Sequence, residues 1–265
     1  MKIIVVANQK GGIGKTSTVT SLASALNLLG HKTLVIDADR QCNTTDTYRA
    51  EFEGVATMYD VVLEDEKNRT SLAEAIQHTD AGDIVPADKP LAQADKILYG
   101  DLNGLYRFKD ALEEIKNGDF DYEYILIDTP NQNDAMLQSA LVAADEVIIP
   151  TLSDRYSVQG LADVNQTIYA IKKRLNPNLK VAGILLCKVD KRTNLDKEAK
   201  ESLIKISELM KTNLFETSIS TCQDIPNSQK RRMLIHQYDK NSKAAKDYID
   251  LAKELIGENL NNDRV

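Results

Sequence analysis

Residues 9 to 17 read Gln9-Lys10-Gly11-Gly12-Ile13-Gly14-Lys15-Thr16-Ser17 and follow directly on the apolar run Ile3–Ala7. Glycines at 11, 12 and 14 let a backbone curl until successive N–H groups point inward, which is how a loop cradles phosphate oxygens. A helix starting where the loop ends adds the positive end of its dipole to the same field. Lys15 is then long enough to reach β and γ phosphates, Thr16 offers the kind of hydroxyl that binds Mg²⁺, and Ser17 is placed to touch the next phosphate. The spacing predicts a nucleotide site made of Lys10, Gly11, Gly12, Ile13, Gly14, Lys15, Thr16 and Ser17. A glycine turn that only joined a strand to a helix would need neither lysine. The ordinary phosphate-loop pattern, GxxxxGK followed by Ser or Thr, is nonetheless missed, because Gln9 stands where its first glycine belongs.

Carboxylates complete the chemistry. Asp37 and Asp39 close a second apolar run, Thr33–Asp37, and Asp128 closes a third, Tyr124-Ile125-Leu126-Ile127. Open α/β sheets bind ligands at the carboxyl ends of their strands, so these acids are expected to face the phosphate loop. Asp128 there reads as the acid that holds the water shell of Mg²⁺, with Thr16 and Asp37 as the other expected metal-site residues, partly through water.

These side chains need a frame. Short apolar, β-rich runs alternate with longer segments of helical period, and no internal repeat or low-complexity tract interrupts them. The alternation predicts an α/β fold, a three-layer structure with a mostly parallel twisted sheet flanked by helices. Expected strands are Ile3–Ala7, Thr33–Asp37, Tyr124–Asp128, Glu146–Pro150 and Val181–Cys187, with shorter ones at Asp83–Val85 and Leu214–Thr217. A helix is expected from Thr16 to Leu29, closed by Gly30. Further helices are expected over Leu72–Ile76, Leu105–Lys116 and Asn241–Ile256, the last of them amphipathic. With 265 residues, one domain over 1–256 and a flexible tail over 257–265 are expected.

Composition narrows the classes further. Hydrophobic residues make up 42% and charged residues 28%, enough apolar surface for a sizeable core. No run approaches the roughly 18 uncharged apolar residues of a membrane span, and Ile3–Ala7 is too short for a signal peptide, so a cytoplasmic location is expected. Cys42, Cys187 and Cys222 are odd in number, scattered and without CxxC spacing, which points to neither a disulfide framework nor a metal site.

Lys10 to Thr16 matches the deviant phosphate loop KGGxGK(S/T), and on that ground the chain resembles the ParA/MinD family of P-loop ATPases. Asp37-Ala38-Asp39-Arg40-Gln41 is similar to the family's DxDPQ first switch, with Arg40 in place of proline and Cys42 in place of the following glycine. Asp128-Thr129-Pro130-Asn131 is similar to its second switch, with Asn131 in place of a second proline. The resemblance continues through Ala140–Asp145, Gly183–Cys187, Arg192-Thr193-Asn194 and Asp224–Leu255, nearly the whole chain. It implies ATP and Mg²⁺ as cofactors, Asp39 orienting the attacking water, and an ATP-driven homodimer in which Lys10 of each subunit reaches the other's nucleotide. Lys10, Lys15 and Asp39 are thus the expected catalytic residues.

The family's outputs differ, and the sequence favours one. A membrane-acting, MinD-like regulator should carry a basic amphipathic terminus, whereas residues 257–265 are acidic and polar. Scattered cysteines disfavour an iron–sulfur carrier, and Lys15, Asp39 and Asp128 disfavour a non-catalytic adaptor. The net charge is −7, yet between Gln229 and Lys246 six cations face Asp239 alone. Lys230, Arg231 and Arg232, together with Lys188 and Arg192, are expected to contact nonspecific DNA through its phosphates. No helix-turn-helix extension is seen before Met1–Lys2. The resemblance then implies a partition ATPase with a ParB-like or ribbon-helix-helix centromere-binding partner, nucleoid-associated when ATP-bound. The alternative is a family member that positions cargo on a membrane or a protein cluster.

Overall fold

A computed structural model describes residues 1–63, 69–190 and 194–258. Its strands are β1 (Lys2–Val6), β2 (Thr33–Asp37), β3 (Gln77–Thr79), β4 (Gly82–Val85), β5 (Tyr124–Asp128), β6 (Glu146–Thr151) and β7 (Lys180–Leu186). They form one sheet in the order β3-β4-β2-β5-β1-β6-β7, parallel except where β3 runs against β4. Nothing on β2 is exposed, the condition of a parallel strand covered on both faces.

The helices are α1 (Lys15–Leu28), α2 (Asn43–Tyr48), α3 (Met58–Val62), α4 (Ala94–Gly100), α5 (Arg107–Asn117), α6 (Ala135–Ala143), α7 (Arg155–Arg174), α8 (Asn194–Leu209), α9 (Asp224–Lys230), α10 (Ile235–Asp239) and α11 (Lys243–Ile256). Alternate strand residues sort them into two layers. Ile3, Val5, Leu34, Ile36, Ile125 and Ile127 meet Phe108 of α5, Leu137 of α6 and Leu161 of α7. Ile4, Val6, Val35, Leu126 and Ile148 meet Leu22 of α1 and Tyr248 and Leu251 of α11. The three expected layers are present.

Three expectations need correction. Leu72–Ile76 is a turn rather than a helix, because Leu72 and Ala75 are buried and the chain enters β3 at Gln77. Leu105–Lys116 is divided into a 3₁₀ turn, Gly104–Tyr106, and α5. Leu214–Thr217 meets the sheet at one isolated bridge, Leu214 to Ile184, where Phe215 N donates to Ile184 O at 2.9 Å. The Glu254 carboxylate of α11 accepts the N–H groups of Glu216 and Thr217 at 2.7 and 2.9 Å, and Thr217 N is the next donor a ladder with β7 would use. Of the expected tail, 259–265 lies outside the described residues.

Candidate functional site

The chain runs from β1 to β2 on one side of the sheet and from the neighbouring β6 to β7 on the other, so the two connections part and open a crevice at the carboxyl ends of β1 and β6. The chain enters that crevice at Ala7. Buried Asn8 shapes the loop, its amide donating to Pro150 O at 2.8 Å and its side-chain oxygen accepting from Lys10 N at 3.1 Å. Gly12 and Gly14 have φ of 74° and 101°, where a β-carbon is strained. α1 begins at Lys15. Above the loop is a cavity of about 720 Å³, with Lys15, Thr16, Ser17 and Asp39 on its inner side and residues 219–223, Pro226 and Gln229 opposite.

At the inner end, Asp37 and Asp128 are register partners on β2 and β5, both buried. Asp128 Oδ2 accepts from the hydroxyls of Thr16 and Thr44, each at 2.7 Å. Asp37 Oδ2 accepts from Thr45 N and Thr45 Oγ1, each at 2.8 Å, and Oδ1 from Asp39 N at 3.1 Å. Burial and then the neighbouring Asp128 push the Asp37 carboxyl up to about 7. Burial likewise lifts Asp128 to about 6, against its two threonine hydrogen bonds. Buried Asp128 Oδ1 has no hydrogen-bond partner among the described residues. An orphan carboxylate oxygen, a second carboxylate and a threonine hydroxyl form a hard-oxygen set suited to Mg²⁺, whose charge would remove the cost of two adjacent acids.

Lys15 is buried beside them; burial lowers its affinity for the proton, and the charges of Asp128 and Asp39 oppose that. Asp39 is half-buried and accepts from Gln41 N at 2.9 Å. Cys42 adopts φ 56°, ψ 29°, the left-handed region that suits a glycine. Arg40 reaches Gln132 Oε1 at 3.2 Å, and Asn131 packs so near Gly11 that a β-carbon there would meet its amide at 3.1 Å.

Lys10 faces away from the cavity. Its ammonium donates to both oxygens of Asp154 at 2.8 and 2.9 Å and to Ser157 Oγ at 3.0 Å, at the start of α7. Gln9 also turns to α7, donating to Thr167 Oγ1 at 2.8 Å. Lys188, expected at a DNA surface, is exposed, yet its ammonium donates to Gly12 O at 2.8 Å. Arg192 lies outside the described residues.

Lys230, Arg231 and Arg232 are exposed at the end of α9. Arg232 pairs with Asp46 at 2.8 Å, and Arg49 donates to the carbonyls of Arg232 and Arg231, both at 3.1 Å. Asp46 belongs to α2, the helix that also carries Thr44 and Thr45, so the basic cluster is tied to the element that holds the two buried acids. Gln229 of α9 donates to Ser17 Oγ at 2.9 Å. Thr44, Thr45, Asp154, Ser157, Arg49 and Gln229 escaped the sequence reading. The one available signal was the run of hydroxyl residues after Asp39.

Comparison with known proteins finds relatives over nearly the whole chain. A family model described as an AAA domain matches residues 1–181. The chain is 33% identical over 257 residues to the sporulation initiation inhibitor protein Soj of Bacillus subtilis, covering 96% of this chain and 98% of that one. It is 32% identical to the chromosome partitioning protein ParA of Myxococcus xanthus, covering 96% and 88%. Among solved structures, the cobyrinic acid a,c-diamide synthase of Mycobacterium smegmatis with bound ADP and magnesium superposes with a TM-score of 0.80 at 27% identity, covering 97% and 94%.

Proposed function

Since the chain belongs to the ParA/MinD family of P-loop ATPases, we propose that it is a partition ATPase whose DNA-binding state is set by nucleotide. In this reading residues 1–256 act as one ATPase domain. MgATP drives a homodimer, the dimer grips DNA without sequence preference, and hydrolysis releases it. Turnover is slow until a ParB-like or ribbon-helix-helix centromere-binding protein stimulates it. ATP-bound protein is then nucleoid-associated, and the segregated cargo is a plasmid or chromosome.

The observation that carries the reading is the Thr16–Asp128 hydrogen bond of 2.7 Å beside an orphan Asp128 Oδ1. The backbone N–H groups of 11–16 and Lys15 hold the phosphates, and Thr16, Asp37 and Asp128 would hold Mg²⁺, partly through its water shell. Mg²⁺ neutralises phosphate charge in such sites. Asp39 orients the attacking water. Lys10 leaves Asp154 and reaches the partner subunit's nucleotide, where a second cation meets developing phosphoryl charge. Lys230, Arg231 and Arg232 contact DNA phosphates, and α2 carries the state of the acids to them.

The test is retention on random-sequence DNA and on anionic liposomes with ADP, ATP or a non-hydrolysable analogue, across a salt series. ATP-dependent, salt-sensitive retention on DNA supports partition. Binding to liposomes alone transfers the chain to the MinD-like reading, and DNA binding indifferent to nucleotide refutes the switch.

A further inference from the structure

We infer that Lys188 is a phosphate-binding cation of the nucleotide site rather than part of a DNA surface, an assignment that rests on the ATP-binding reading above. Lys188 follows β7 with φ 55°; it and Gly12 both line the cavity, and its Nζ lies 2.8 Å from Gly12 O. Gly12 lies within the loop that must wrap the phosphates. The ammonium is thus held at the exposed edge of the phosphate loop by a neutral carbonyl, within a side chain's swing of the phosphates. An ionised phosphate oxygen is the stronger acceptor for the same donor, so nucleotide entry competes with that carbonyl on favourable terms.

Charge on the cavity wall makes the same case. The charged side chains that line it are Lys15, Lys188, Asp39 and Asp46, with Asp37 and Asp128 buried behind them. Lys10 faces Asp154 instead. Without Lys188, Lys15 alone would face Asp39 and the Arg232-paired Asp46 in a cavity meant for a polyanion, and even bound Mg²⁺ would be offset by the two buried carboxylates. Lys188 balances the lining and supplies the attraction that a single subunit needs before any dimer brings a second Lys10.

Lys188→Asn removes the charge while keeping a residue that tolerates the left-handed conformation, and Lys188→Arg keeps the charge. Calorimetric titration with MgATP and MgADP, without DNA and at two salt concentrations, should show Lys188→Asn binding about ten-fold more weakly than wild type. Its affinity should also be less salt-sensitive, Lys188→Arg should recover most of the loss, and nucleotide-free melting temperatures should stay equal. Wild-type affinity in Lys188→Asn overturns the assignment, as does a loss that Lys188→Arg fails to recover or that accompanies a lower melting temperature. So does unchanged nucleotide affinity with weakened DNA retention, which returns Lys188 to the DNA surface. If wild type itself binds neither nucleotide, the ATP-binding reading fails instead.

Discussion

The inner end of the cavity and its outer wall are built differently. Inside, Asp37 and Asp128 are fixed by strand register and buried, and short hydroxyl side chains reach them at 2.7 to 2.8 Å. Outside, Gln229, Arg232 and Arg49 span between elements as long side chains at exposed positions. Sheet ends cannot move without breaking the core, so the inner end is preorganised for phosphate and metal. Exposed contacts of long side chains contribute little each and exchange partners readily.

Asp128→Asn breaks this comparison hardest. Asparagine keeps an oxygen for Thr16 and Thr44 but removes the charge that faces Asp37. ATP hydrolysis should fall by at least about 100-fold, and the melting temperature gained on adding MgATP should vanish. The nucleotide-free variant should melt higher than wild type at pH 7.5, since a functional cost has been removed. A lower melting temperature would show that the acids are held by something other than mutual repulsion.

Changing pH sharpens the same point. Both acids titrate above their unfolded values, Asp37 near 7 and Asp128 near 6. Folding therefore favours their protonated forms: the stabilisation is complete below the ordinary carboxylate range and is lost as pH rises through about 6 to 7. Thermal scans between pH 5 and 8 should show wild type losing more stability with rising pH than Asp128→Asn. Saturating MgATP should flatten the difference.

The outer contacts carry smaller effects. Asp154→Ala frees Lys10, and a dimer in equilibrium with a tethered monomer should then form at a two- to five-fold lower concentration of ATP analogue, the scale of a partly exposed ion pair. Sedimentation equilibrium measures it, and a weaker dimer would mean that Asp154 supports the assembled state. Arg49→Asn should lower the melting temperature by only about 2 °C, in keeping with two exposed hydrogen bonds. A large drop would make the wall as rigid as the inner end.

The same division governs what the sequence reveals. The phosphate loop is legible because its glycines, lysines and threonine are consecutive, and Asp37 and Asp128 are legible because they end apolar strands. The partners of the outer contacts are ordinary surface residues far along the chain: Asp154 lies 144 residues from Lys10 and Gln229 lies 212 from Ser17. Only folding brings them together. Leu214–Thr217 has strand composition, but Glu254, an acid on a distant helix, takes the N–H groups of Glu216 and Thr217. The polar three-residue β3 has no apolar alternation to betray it. Cys42 was visible as a departure from glycine, while the left-handed backbone that makes it one emerges only in three dimensions.

The switch itself is tested by sedimentation velocity of the wild type and Lys10→Ala with Mg²⁺ and either ADP or a non-hydrolysable ATP analogue. The wild type should be a dimer with the analogue alone, and Lys10→Ala a monomer that still binds nucleotide. A wild type of the same size with both nucleotides, or a Lys10→Ala dimer with full ATP turnover, would contradict the switch.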